Sequence, residues 1–173
     1  MQDWESQLQM MTDISARIAS NYEFHPYYFK NDVTREKSLL ENFSQYKYYL
    51  PLTEEYFLYY GGDYLYRSVG TTLNVDMFLR TKIADAGECE WFRDQLTTTK
   101  ESFSEMWGGL KTLTFSDTIC VLVSFRVNDT DGRTNAVCGF LLAPDSLGKR
   151  FETIGGGING TLSLYREEHT PVL

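Results

Sequence analysis

The sequence predicts an α+β domain: one mainly antiparallel sheet of about five strands, a long N-terminal helix beside it, and further helices inserted between two hairpins. Three observations predict this. Trp4, Leu8, Met11, Ile14 and Ile18 recur at steps of three and four, which places them on one stripe of a helix. Two segments of β-type composition fold back on themselves through turns rich in Gly and Asp. No internal repeat or low-complexity linker divides the 173 residues, so residues 1–173 read as a single domain able to bury its own core.

The stripe predicts a helix over Gln2 to Ser20. Nothing caps this segment at its start, at Gln2, and Trp4 already lies on the stripe, the pattern expected of a helix that continues from something upstream. Asn21 to Asn31 reads as an aromatic loop around Pro26. Thr34 is the expected cap of a second helix from Arg35 to about Lys47, with Leu39, Leu40, Phe43 and Tyr46 inward and Pro51 beyond it. Glu54 to Tyr60 and Tyr64 to Ser68 are the arms of the first hairpin, joined by Gly61-Gly62-Asp63. Thr71 to Asn74 opens a short helix around Val75 to Ile83. Ala86-Gly87 breaks it, and Glu88 to Leu96 forms another helix, followed by a polar loop over Thr97 to Lys100. Phe103, Met106, Trp107 and Leu110 lie in a loop that enters a strand.

Thr118 to Val127 is the strongest strand, apolar on both faces near its start and therefore central. Asn128 to Arg133 turns the chain, and Asn135 to Ala143 returns antiparallel. Pro144 starts a helix to about Thr153, Gly155-Gly156-Gly157 ends it, and Thr161 to Tyr165 is a last strand. With this turn, Cys120 faces Leu141 and Cys138 faces Val123. The two thiols miss each other and stay free, and an odd count of three cysteines agrees with that.

Composition removes several functions. A net charge of −8 opposes phosphate backbones, so no nucleic acid is expected as a partner. No run of apolar residues reaches the ~18–20 of a membrane span, though a sensor domain lying between two spans would look the same. The histidines, His25 and His169, stand in no nucleophile motif and are expected on the surface. Glu167-Glu168-His169 is a charge run and predicts no metal site. The glycines at 155–157 follow a helix, the reverse of a phosphate loop, so no cofactor and no enzyme activity is expected.

Aromatic residues make up 15% of the chain, with 12 Tyr and 11 Phe. Tyr56, Tyr60, Tyr64 and Tyr66 fall on the first hairpin, Trp91 and Phe92 on a following helix, and Arg126 on an otherwise apolar strand. Two readings stay open. The rings are core with Arg126 at a strand end, or Tyr64, Tyr66, Trp91 and Phe92 wall a pocket in which Arg126 anchors a carboxylate or sugar hydroxyl.

The run Phe57-Leu58-Tyr59-Tyr60-Gly61-Gly62-Asp63-Tyr64-Leu65-Tyr66, then Gly70-Thr71 and Met77-Phe78-Leu79, resembles extracellular Cache-type (PAS-like) sensor domains of Firmicutes transmembrane receptors. Phe140-Leu141-Leu142-Ala143-Pro144-Asp145-Ser146-Leu147 with Phe151 resembles their strand-to-helix step. The resemblance implies a PAS/Cache-like fold with a small ligand held between sheet and inserted helices. It also implies a membrane-anchored parent, a histidine kinase or AraC-type transcriptional regulator, at the extracellular face of the bacterial membrane. The N-terminal helix is the expected homodimer surface. The chain departs from the amino-acid-binding pattern of that family, because Cys89 stands where an Arg would precede the Trp-aromatic pair. The rival reading is a structural or protein-interaction module with no small ligand.

Overall fold

In a computed structural model, which describes residues 2–83, 85–101, 110–115 and 118–142, the N-terminal stripe forms helix α1, Gln2–Ser20. Met11, Ile14 and Ile18 are buried against the sheet, and Leu8 packs half-buried beside them. The side chain of Trp4 lies outside the described residues. The aromatic loop that follows is more ordered than its composition predicts: a 3₁₀ turn at Tyr22–Phe24 leads into a short helix α2, Pro26–Phe29, with Pro26 in its first turn. Helix α3, Val33–Ser44, buries Leu39, Leu40 and Phe43. Its cap is Asp32 and not Thr34: the Asp32 carboxylate accepts from the backbone N–H groups of Thr34 and Arg35 at 3.0 and 3.1 Å.

The first hairpin is β1, Glu55–Tyr59, and β2, Tyr64–Arg67. Gly61 and Gly62 both take positive φ in its turn, which only glycine adopts at little cost. Thr71–Asn74 is not a helix start. It is an edge strand, β3, paired to β2, and Asn74 at its end caps helix α4, Val75–Lys82, through Asp76 N at 2.9 Å. Ala86–Gly87, expected as a break, is the first turn of helix α5, Ala86–Glu101, which Asp85 caps through Glu88 N at 2.9 Å. The helix also takes in the polar run Thr97 to Lys100. There Thr97 bonds back to the Arg93 carbonyl at 3.1 Å, and Thr99 turns into the core.

Strand β4, Leu110–Phe115, pairs with β5, Thr118–Asp129, which pairs in turn with β6, Gly132–Leu142. The strands order themselves β3-β2-β1-β6-β5-β4 in one antiparallel sheet. The protein therefore has an α+β fold of the PAS/Cache-like kind, with six strands among the described residues where about five were expected. The expected helix after Pro144 and strand at Thr161 to Tyr165 lie outside the described residues, as do Phe103, Met106 and Trp107.

Each sheet face carries its own core. Tyr56, Leu58, Phe140, Cys138, Val121 and Val123 meet α1, α2 and α3 on one side. Phe57, Tyr59, Leu65, Leu122, Cys120 and Leu141 meet α4 and α5, through Phe78, Leu79, Phe92 and Leu96, on the other. Two-sided burial explains the near-continuous apolar run of β5. Cys120 faces Leu141 and Cys138 faces Val123, the register expected from the sequence, so the two thiols lie on opposite faces and all three cysteines are free. Burial pushes both thiols well up.

Gly139 lies opposite Phe57, whose ring fills the space a side chain would need: a Cβ at Gly139 would overlap Cζ, Cε1 and Cε2. Gly139→Ala is expected to destabilise the domain by about 2–3 kcal/mol, the upper range for overpacking a filled core. Urea denaturation measures it, and Phe57→Leu on top of it should recover part of the loss. Denatured, unreduced protein should titrate three thiols, and the folded domain should react with a thiol reagent at Cys89 alone on the same timescale.

Candidate functional site

The pleat decides which side chains can meet. On β2, Tyr64 and Tyr66 point to the α1 face, while Leu65 and Arg67 point to the α4–α5 face. Tyr66 packs on Phe29 and Tyr60, ring centroids 5.2 and 5.7 Å apart, and burial helped by the nearby Glu36 carboxylate pushes its hydroxyl up to about 12. Tyr64 is 58% exposed. Phe92 is fully buried on the opposite face, and its neighbour Trp91 is 38% exposed on the outer side of α5. The sheet thus separates Tyr66 from Phe92, and the expected aromatic wall does not form as one surface. Arg126 is half-buried on β5 and donates from Nε to Asn135 Oδ1 across the strand pair at 3.4 Å. Its parity matches Cys120 and Leu122, so it shares a face with Phe92 and not with the tyrosines.

Two other tyrosines serve structure. Tyr56 donates to the Phe43 carbonyl at 2.7 Å, and Tyr60 donates to the Phe24 carbonyl at 2.6 Å. Each rings a helix end to the sheet, and burial raises both hydroxyls. His25 is buried and not on the surface: Nε2 lies 2.8 Å from the Ala19 carbonyl at the end of α1. Folding of the loop into two short turns brings the ring inward. His169 and Glu167-Glu168 lie outside the described residues.

Charge gathers on the α4–α5 side. Glu55, 4% exposed, receives Arg67 from β2 and Lys82 from the end of α4, the latter at 3.0 Å. Burial alone would raise Glu55, but hydrogen bonds and charge from Arg67 and Lys82 outweigh it and hold the carboxyl below its usual range. Between α4 and α5 runs a groove of about 650 Å³ lined by Asp76, Arg80, Ile83, Ala86, Cys89, Glu90 and Arg93. Arg93 spans it, donating to Asp76 at 2.6 Å and to Asp63 of the hairpin turn at 3.3 Å. The Cys89 thiol, raised by burial, points at the Ile83 carbonyl, 3.7 Å away. Sequence reading passed over this groove, although Asp76 and Arg80 stand four apart and Glu90 and Arg93 three apart, the spacings that share a helix face.

Among the described residues no cluster of three His, Cys, Asp or Glu could hold a metal ion, and no helix is long and apolar enough to cross a membrane. No protein-family model matches the chain, and the search of curated proteins gives no match either.

Glu55 contributes to the acid limb of stability. Its folded value lies below the unfolded one, so the stabilisation is complete above about pH 4.3 and is lost as pH falls through the lower folded value. Glu55→Gln should flatten the acid limb of a melting profile below about pH 4.3 and cost about 2 kcal/mol or more at neutral pH, because two half-buried cations lose their counter-charge. An unchanged acid limb would show that other carboxylates carry it.

Proposed function

We propose that the chain is the ligand-sensing input domain of a bacterial transmembrane signalling protein, a histidine kinase or AraC-type regulator. In this reading it sits at the extracellular face of the membrane and performs no catalysis. The observation that carries the reading is that α1 and α5 pack on opposite faces of one strand, β5. A small molecule that changes how α4 and α5 sit therefore acts on the same strand that supports α1. The groove between the inserted helices supports it further, since it is a charged concavity in that layer. Occupancy biases the sheet between two arrangements, and α1 carries the difference outward.

Five exposed tyrosines among the described residues, Tyr22, Tyr27, Tyr48, Tyr49 and Tyr64, favour a second reading, an interaction module whose aromatic side chains pack on a protein partner. The two readings separate in a melting screen of the purified domain against a metabolite library. The sensor reading expects at least one compound to raise the melting temperature by several degrees and to alter amide exchange in α1. If no compound shifts the melting temperature, the interaction module stands and the sensor reading falls.

A further inference from the structure

We propose that a second copy of this chain docks on the tyrosine-rich segment of the α1 layer, residues 21–49, and that the protein is a two-fold dimer; the inference goes beyond the sensor reading and does not depend on it. Ten large apolar side chains are exposed among the described residues, and five of them, Tyr22, Tyr27, Val33, Tyr48 and Tyr49, fall within this one span. The elements that carry them are joined. Tyr22 meets Tyr28 edge-on at 4.9 Å between centroids, and the Arg35 guanidinium lies 4.5 Å over the Tyr28 ring. The 3₁₀ turn at Tyr22–Phe24 is tied to a second one, Gln45–Tyr49, by the rings of Phe24 and Tyr46, 6.2 Å apart. Asn42 of α3 ties the first turn again, donating to Glu23 at 2.8 Å. The four tyrosines are 53%, 44%, 90% and 57% exposed, which leaves about 400–600 Å² of side chain open. A stable interface covers roughly 800 Å² on each partner, so these rings supply about half of it or more.

Charge selects the occupant. The chain carries −8, so two copies that approach through most of their surface repel. Residues 21–49 hold four Lys or Arg and four Asp or Glu, and the whole excess of acid therefore lies outside them. The four carboxylates are also engaged within the fold: Glu23 by Asn42, Asp32 by Arg35, Glu36 by Thr72 and Glu41 by Lys37. A two-fold contact sets one patch against itself, which a neutral patch of rings and engaged charges allows and a patch of one sign does not. Helix α1, expected from the sequence to carry the dimer, is the poorer face. From Glu5 onward its exposed positions hold no large apolar side chain.

The test is sedimentation equilibrium of the purified chain over a concentration series. The parent should reach twice the monomer mass and stop there. Tyr22→Ser combined with Tyr48→Ser should weaken the dimer about tenfold or more with the circular dichroism unchanged, because aromatic anchors carry most of such an interface. Tyr48→Ser alone, at a ring 90% exposed and so of little weight in folding, should act in the same direction. Trp91→Ala removes an exposed ring from α5, on the opposite side of the sheet, and should leave the dimer intact. Added salt should tighten the parent dimer, since screening removes the repulsion between two −8 chains. A monomer at every concentration leaves the rings to another protein or to none and overturns the proposal. A dimer that survives the double substitution, or that Trp91→Ala breaks as well, lies elsewhere and overturns the face. A dimer that salt weakens is held by opposite charges and overturns the neutral patch. None of these outcomes reads ligand binding, so the sensor reading stands or falls separately in the melting screen.

Discussion

The ring of Phe57 lies over the bare Cα of Gly139, and the α4–α5 layer is seated from that contact. The two residues are direct partners across β1 and β6. With no side chain at Gly139, the ring can lie along the sheet instead of standing up from it. Phe78 of α4 then meets it edge-on at 5.4 Å between centroids. Arg67, the partner of Phe57 on β2, carries its guanidinium 5.6 Å from the same Phe78 ring while pairing with Glu55. Lys82 reaches Glu55 from the last turn of α4. One glycine thus fixes the height of α4, the place of the buried ion triad, and one wall of the groove.

Much of the architecture was legible because its signals are periodic. The stripe of α1, the first hairpin, the two-sided apolar run of β5 and the register that parts Cys120 from Cys138 all follow from steps of 3.6 and 2. What failed depends on tertiary neighbours. Thr71–Asn74 carries no strong strand pattern and is a strand because β2 offers it an open edge. Thr97 to Lys100 is polar, yet it stays helical because Thr99 finds the core and Lys100 lies over Gly61. His25 is inside because a carbonyl at the end of α1 receives it. The aromatic wall failed for a stricter reason. Alternation correctly put Tyr64 and Tyr66 on one face, but nothing local says which face of the sheet α5 will cover. Arg126 and Phe92 share a face, and Tyr66 does not.

The two layers are held by different forces, and this asymmetry bears on how the domain can respond. On the α1 side, apolar packing of mostly buried side chains and the neutral hydrogen bonds of Tyr56 and Tyr60 close the layer. Opening it means exposing several large side chains, each worth about 1.5–3 kcal/mol. On the other side, the ties between α5, α4 and the hairpin turn run through Arg93, Asp63 and Asp76, whose side chains are 40%, 70% and 53% exposed. Ion pairs at such sites contribute about 1 kcal/mol or less and weaken with salt. The outer part of the α4–α5 layer is therefore the softer one, and in the proposed sensor a ligand would need only modest differential affinity to shift it. Such a shift reaches the sheet through Phe92 and Leu96, which belong to one buried cluster with Leu122 and Cys120 of β5. The next residues of that strand, Val121 and Val123, belong to the cluster that holds Met11, Ile14 and Ile18 of α1. Because successive side chains of a strand leave on opposite faces, a tilt of β5 imposed from one layer cannot be absorbed within it.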